Sequence, residues 1–261
     1  MTVRELLNSG IVYLDGGMGT LLQKIGLRPG ETPERWGLTH RDAIVSIHRA
    51  YYDAGSHIVM ANTFGASPLR YGDEELEAMI FGAVSAAQEA RQLSSSAQEK
   101  YVALDLGPTG QLLKPFGRLG FEDAVTAFAK VVRLGVQAGA DCVVIETMND
   151  SQETRAALLA VKENCCLPVL VCNAYGSDGK LMSGASPEAM TVILEGLGAD
   201  AIGVNCSYGP EAMTPVVMKI LAAASVPVIC KPNAGLPRDV DGQTVYDVDE
   251  ASFAASMRAL A

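Results

Sequence analysis

Short runs of apolar, often β-branched residues alternate along the chain with longer stretches whose apolar positions recur at helical spacing. Seven such runs stand out: "IVYLDGG" from Ile11, "HIVMANT" from His57, "YVALDLG" from Tyr101, "CVVIETM" from Cys142, "PVLVCNAY" from Pro168, "AIGVNCS" from Ala201 and "PVICKPN" from Pro227. Each is apolar almost throughout, as a parallel strand covered on both faces should be. Their centres fall roughly 25 to 45 residues apart, a spacing that suits strand–helix alternation better than an antiparallel meander.

The intervening stretches predict helices with recognisable ends. Thr39 is placed to cap "HRDAIVSIHRAYYDAG", and "DEELEAMIFGAVSAAQEARQ" opens on acids suited to a helix N-terminus. "FEDAVTAFAKVVRLGVQAG" carries a helical apolar stripe and a glycine stop. Similar stretches follow at "DSQETRAALLAVKEN", "SPEAMTVILEGLG", "GPEAMTPVVMKILAAAS" and "DEASFAASMRALA". The expectation is an α/β fold of the TIM (β/α)8 type with seven strand–helix units, the eighth strand missing from the chain. An open seven-stranded sheet is the alternative, but polar residues gather in the turns after the strands, as on the catalytic face of a barrel. Composition does not shift along the chain and no low-complexity linker interrupts it. Residues 1–261 therefore read as one domain, expected to be truncated at its C-terminus.

At 261 residues and 49% hydrophobic, the chain can bury a large core. A net charge of −10 argues against a nucleic-acid or anionic-membrane partner, either of which needs a basic face. No apolar run reaches the roughly 18 residues of a membrane span. "MTVRELLNSG" has no signal-peptide core, so the six cysteines are expected to be reduced thiols in a cytoplasmic protein.

The C-terminal ends of the strand candidates collect the candidate chemistry. They carry Asp15-Gly16-Gly17-Met18-Gly19-Thr20, Asn62-Thr63, Asp105, Gly107-Pro108-Thr109, Glu146-Thr147, Asn173, Asn205-Cys206-Ser207 and Pro232-Asn233-Ala234-Gly235. Such a set suits a small zwitterion better than a phosphate ester. "DGGMGT" is neither a P-loop nor a dinucleotide fingerprint. Its glycines either bring backbone amides to a carboxylate or simply make a tight turn. Glu146 ends an apolar run and needs a cation, which a ligand ammonium or a structural salt bridge would supply. Of the four strand-end asparagines, Asn233 is the one singled out, although any of them could brace a loop. No histidine is assigned chemistry. Cys165-Cys166 precedes a strand and falls on the face opposite catalysis, Cys142 opens a strand, and Cys172 and Cys230 sit within strands as small hydrophobes. Only Cys206 follows its strand into the polar mouth.

The strings "LDGGMGTLLQ", "ANTFGAS", "DLGPTGQLL", "ADCVVIETMNDSQETRAALLAVKE", "DAIGVNCSYGP" and "KPNAGLP", taken in order from about residue 11 to 261, resemble the homocysteine S-methyltransferase family, and within it the cobalamin-dependent branch. The resemblance implies a barrel that binds zinc through three cysteine thiolates, the zinc in turn binding the homocysteine sulfur as a thiolate for methyl transfer to methionine. On that reading Cys206 is the catalytic cysteine, acting as a zinc ligand. Glu146 and the turn holding Gly17 and Met18 meet the amino acid's ammonium and carboxylate, and Asn233 lies near the metal end. Methylcobalamin is the implied donor, with cobalamin- and folate-binding domains further along the same protein. The family's other two thiolates form a Gly-Gly-Cys-Cys pair after the eighth strand and are expected beyond Ala261, because Cys165-Cys166 lies on the wrong face to replace them. Two alternatives remain: a non-catalytic or partner-completed barrel, and a metal-free barrel enzyme using Glu146 as acid or base.

Overall fold

A computed structural model describes residues 1–236, 238–240 and 243–261. Six strands form one parallel sheet in sequential order: β1 (Ile58–Met60), β2 (Tyr101–Leu106), β3 (Cys142–Met148), β4 (Val169–Asn173), β5 (Ala201–Cys206) and β6 (Val228–Pro232). The sheet curls into a half-barrel. The "IVYLDGG" run, expected as the first strand, contributes a single bridge from Leu14 to Ile58 and no ladder. Its Ile11 and Tyr13 lie exposed, so that edge has little apolar surface to hold a longer pairing. A hairpin of β7 (Arg238–Val240) and β8 (Gln243–Val245) follows β6, where the sequence predicted no strands.

Helices pack outside the sheet: α4 (Arg41–Asp53), α5 (Asp73–Leu93), α6 (Phe121–Gln137), α7 (Ser151–Asn164), α8 (Pro187–Gly196), α9 (Pro210–Ala223) and α10 (Glu250–Leu260), preceded by the short α1 (Val3–Leu7), α2 (Met18–Lys24) and α3 (Pro33–Thr39). Their starts follow capping chemistry. Asp150 accepts from the backbone amides of Gln152 (2.6 Å) and Glu153 (3.1 Å), and Ser186 caps α8 directly before Pro187. Thr39 does not cap α4: it is the last residue of α3, and His40 takes the N-cap position without a side-chain bond. The two helices abut, leaving no free turn for Thr39 to occupy.

The period-2 alternation of the strands sorts their side chains into two layers. Leu104, Leu106, Val143, Ile145, Val169, Val171, Ile202 and Val204 face the outer helices. The other parity, Ile58, Met60, Tyr101, Ala103, Cys142, Val144, Leu170, Cys172, Ala201 and Ile229, fills the interior together with Val3, Leu6 and Leu7 of α1. So α1 plugs one end of the interior. Arg4 of that helix bonds Asp200 (2.6 Å) and the Cys166 carbonyl (3.2 Å), which fixes the plugged end as the N-terminal face of the sheet and places Cys166 there, as expected. Two residues further along the inward-facing parity, the apolar filling gives way to Asp105, Glu146, Asn205 and Lys231 at the opposite mouth.

Candidate functional site

The mouth is shaped by two departures from regular strand. Between Ile145 and Met148 the β3–β4 register slips, with three steps on β3 matching two on β4. This is a β-bulge, a device that re-aims side chains near sites. Thr147 in the bulge has φ +61°, and Cys206 and Ser207 at the end of β5 have φ +56° and +60°. Three non-glycine residues in the left-handed region cost about 1 kcal/mol or more each, a strain that the surroundings must hold in place.

Asn205 does the holding. It is fully buried; its Oδ1 accepts from the Thr147 amide (2.8 Å), and its Nδ2 donates to Thr147 Oγ1 (2.8 Å) and to Cys206 Sγ (3.3 Å). Thr147 Oγ1 also lies 3.6 Å from Sγ. Cys206 is half-buried. Burial, and then the Glu146 charge, raise its thiol above the ordinary range, only partly offset by Thr147, so the free side chain stays protonated at neutral pH.

The second group is a buried charge cluster. Lys231 Nζ donates to Glu146 Oε2 at 3.0 Å and lies 3.8 Å from Asp15 Oδ1. Of the two partners left open for Glu146, the structure contains a salt bridge. Burial works against the lysine charge, but Glu146, Asp15 and Asp105 outweigh it and lift the lysine above its usual range. Asp15 Oδ2 accepts from the Met60 amide (2.8 Å), while Asp15 Oδ1 and Asp105 Oδ1 are buried without a hydrogen-bond partner among the described residues. Burial pushes Asp15 up to about 7 and Asp105 well above the usual carboxylate range.

The remaining predicted residues fall around these two groups. Gly17 is the N-cap of α2 and Met18 its first residue; no side chain caps this helix start, and Tyr51 donates to the Gly17 carbonyl (3.2 Å). The backbone N–H of Asn233 donates to the Tyr208 carbonyl (3.0 Å), joining the segment after β6 to the turn after Cys206. Glu146, Cys206 and Asn233 thus meet at one mouth, with Gly17 two residues beyond Asp15 of the cluster. Lys231 was not foreseen as part of it. A lysine inside the apolar run "PVICKPN" is the signal that could have found it, because such a charge needs buried partners.

The same residues can be tested against a zinc ion. Cys206 is the one thiol at the mouth, and the described residues contain no group of three His, Cys, Asp or Glu side chains arranged to hold a metal. A protein zinc site needs three or four such ligands, so the described residues alone do not fit the ion.

A curled parallel sheet with outer helices and polar groups at the strand C-termini defines a β/α barrel-type enzyme scaffold. The chain belongs to the homocysteine S-methyltransferase family, a family of methyltransferases whose model matches residues 12–261. It is 30% identical over 249 residues to the methionine synthase of Mycobacterium leprae, covering 89% of this chain and 21% of that protein. It is 29% identical over 249 residues to the methionine synthase of Mycobacterium tuberculosis, with the same coverage. The chain therefore spans about a fifth of the length of these curated relatives. The homocysteine methyltransferase MmuM from Escherichia coli, in its oxidized form, shares the fold at a TM-score of 0.80 and 22% identity, over 88% of this chain and 85% of that one. The metallated form of MmuM superimposes equally, with a TM-score of 0.80.

Proposed function

We propose that this chain, as one domain over residues 1–261, is the homocysteine-binding barrel of a larger cytoplasmic methyltransferase that forms methionine. The observation that carries the reading is the meeting of Glu146, Cys206 and Asn233 at the C-terminal mouth of a sheet in a chain of this family. The uncapped amides at Gly17 and Met18 suit the substrate carboxylate, the acidic cluster suits its amino end, and Cys206 with Asn233 marks the sulfur end. The substrate thiol would give up its proton to solvent and its sulfur would form a bond to the methyl carbon, the donor departing with the electrons of the bond that breaks. The barrel's contribution is to hold the amino acid with its sulfur aimed out of the mouth. Zinc belongs to this reading only with two further thiolates beside Cys206, since the described residues do not fit the ion alone. Methylcobalamin is the proposed donor, delivered by cobalamin- and folate-binding domains of the larger protein. Among the described residues no helix is long and apolar enough to cross a membrane.

Metal content decides the reading. The 261-residue chain should bind zinc weakly, whereas the full protein should bind one zinc per chain and lose it on Cys206→Ser. Undiminished zinc and methionine formation in the full-length Cys206→Ser protein would overturn the assignment of that thiol.

A further inference from the structure

We infer that Lys231 is a built-in ammonium group occupying the position that a ligand's amino group would take at Glu146, and that it sets the pocket's selectivity at that end. The inference rests on the homocysteine-binding reading above and concerns a residue to which that reading gives no role.

The geometry is specific. Lys231 leaves β6 on the inward-facing parity, as Ile229 does two residues earlier. Its side chain is 19% exposed and crosses the interior to reach three other segments: Glu146 on β3 at 3.0 Å, Asp15 at 3.8 Å and the sulfur of Met60 on β1 at 3.4 Å. Among the described residues it is the one hydrogen-bond donor to the Glu146 carboxylate. An α-ammonium approaching Glu146 would meet a fixed cation already there, and two like charges on one carboxylate oppose each other.

Acceptors for a second cation also remain elsewhere in the cluster. Among the described residues Asp105 Oδ1 has no partner, and Asp15 Oδ1 has no hydrogen bond and only the Lys231 ammonium at 3.8 Å, both on residues only 6% exposed. A ligand ammonium must therefore displace Lys231 from Glu146 Oε2, share that carboxylate with it through Oε1, or settle beside it on the aspartate oxygens, always within reach of the lysine charge. In each case part of its attraction to the carboxylates is lost to repulsion from the lysine. The carboxylate and thiol ends of the ligand are untouched by this. The native pocket should consequently discriminate weakly between homocysteine and 4-mercaptobutyrate, the same thiol acid without the amino group.

Ligand-observed NMR titration of the two thiols against the native chain, Lys231→Met and Lys231→Gln tests this, since it reads millimolar affinities. The native chain should bind the two within about threefold. The Met variant should prefer homocysteine by about ten- to a hundredfold, the equivalent of one charge-assisted hydrogen bond regained by the ligand. A lysine that only braces the fold would change both affinities together and leave their ratio where it was; that result overturns the inference. So does a native preference for homocysteine above about tenfold, which decides the matter even if neither variant folds. Binding of neither thiol by any folded form would overturn the homocysteine reading itself, and the role of Lys231 with it.

Discussion

Replacing Asn205 by alanine tests whether one buried amide holds the strained mouth together. The wild-type side chain makes two hydrogen bonds with Thr147, both 2.8 Å, and a longer one to Cys206 Sγ. Two neutral hydrogen bonds are worth about 1 kcal/mol each, and leaving the half-buried Thr147 amide unpaired adds about another 1 kcal/mol. The expected loss is therefore about 3 kcal/mol, tempered by whatever strain Thr147 and Cys206 release when their left-handed backbone relaxes. Urea unfolding should show the midpoint falling with an unchanged slope, and the melting temperature should drop by roughly 6–12 °C for a domain of this size. Asn205→Asp separates fold from chemistry. It keeps the shape and the acceptor but puts a carboxylate where Sγ had a donor, so the Cys206 thiol should react with a maleimide only at higher pH than in the native chain. A loss below about 0.5 kcal/mol in the alanine variant would refute the reasoning, since that is the scale of an idle surface substitution.

Two further changes probe the scaffold. His48 is fully buried with both ring nitrogens unpartnered among the described residues, and burial lowers it from 6.5 to about 4. Between those values the unfolded chain binds a proton that the folded chain refuses, so stability is lost as pH falls through the window, by about 2 kcal/mol from pH 7 to pH 5. His48→Leu should remove that component. The difference between variant and native unfolding curves is the quantity to measure, because Asp15, held up to about 7, pulls the other way and favours the folded state as pH falls. Gly203→Ala should cost about 3 kcal/mol, because the added Cβ would stand 2.0 Å from the Ile229 carbonyl oxygen on the neighbouring strand. A variant melting at the native temperature would show that β5 and β6 can part without loss.

The parallel sheet was legible because five of its six strands are buried on both faces and so read as apolar runs, while β6 is only partly buried and carries Lys231. The segment from Ile11 reads the same way yet makes only one bridge: an apolar run records burial tendency, and pairing also needs a covered partner edge. Capping at Thr39 failed for a related reason, since a helix already ended on that residue. Of the candidate site residues, Cys206 and Asn233 were singled out from the ends of strand runs, and Cys206 is the last residue of β5 while Asn233 follows β6. Bracing by Asn205 was a reading the sequence left open, but its partner Thr147 was not visible, because a bulge and a positive φ at non-glycine residues leave no compositional mark. Lys231 was hidden by the convention that a strand's interest lies past its last residue. Counted by twos from Ile229, it had to face inward, and an inward lysine had to meet the acid that the same count puts on β3.

Pro232 explains why the thiol can leave its strand where it does. The register sets Asn205 opposite Lys231 and Cys206 opposite Pro232. Proline has no N–H to offer the ladder, so the pairing that straightens β5 ends at Cys206, and the backbone is free to turn into the left-handed region there. One residue later the chains are tied again, as the backbone N–H of Asn233 donates to the Tyr208 carbonyl. The Tyr208 amide closes the turn on the Cys206 carbonyl at 2.7 Å. Sγ is thus presented from a loop anchored at both ends, by Asn205 toward the interior and by Asn233 toward the solvent. A thiol needed only as core filler would not require that anchoring. The role proposed for Cys206 at the substrate's sulfur end would require it, because misplacement by an ångström is what such a site cannot tolerate.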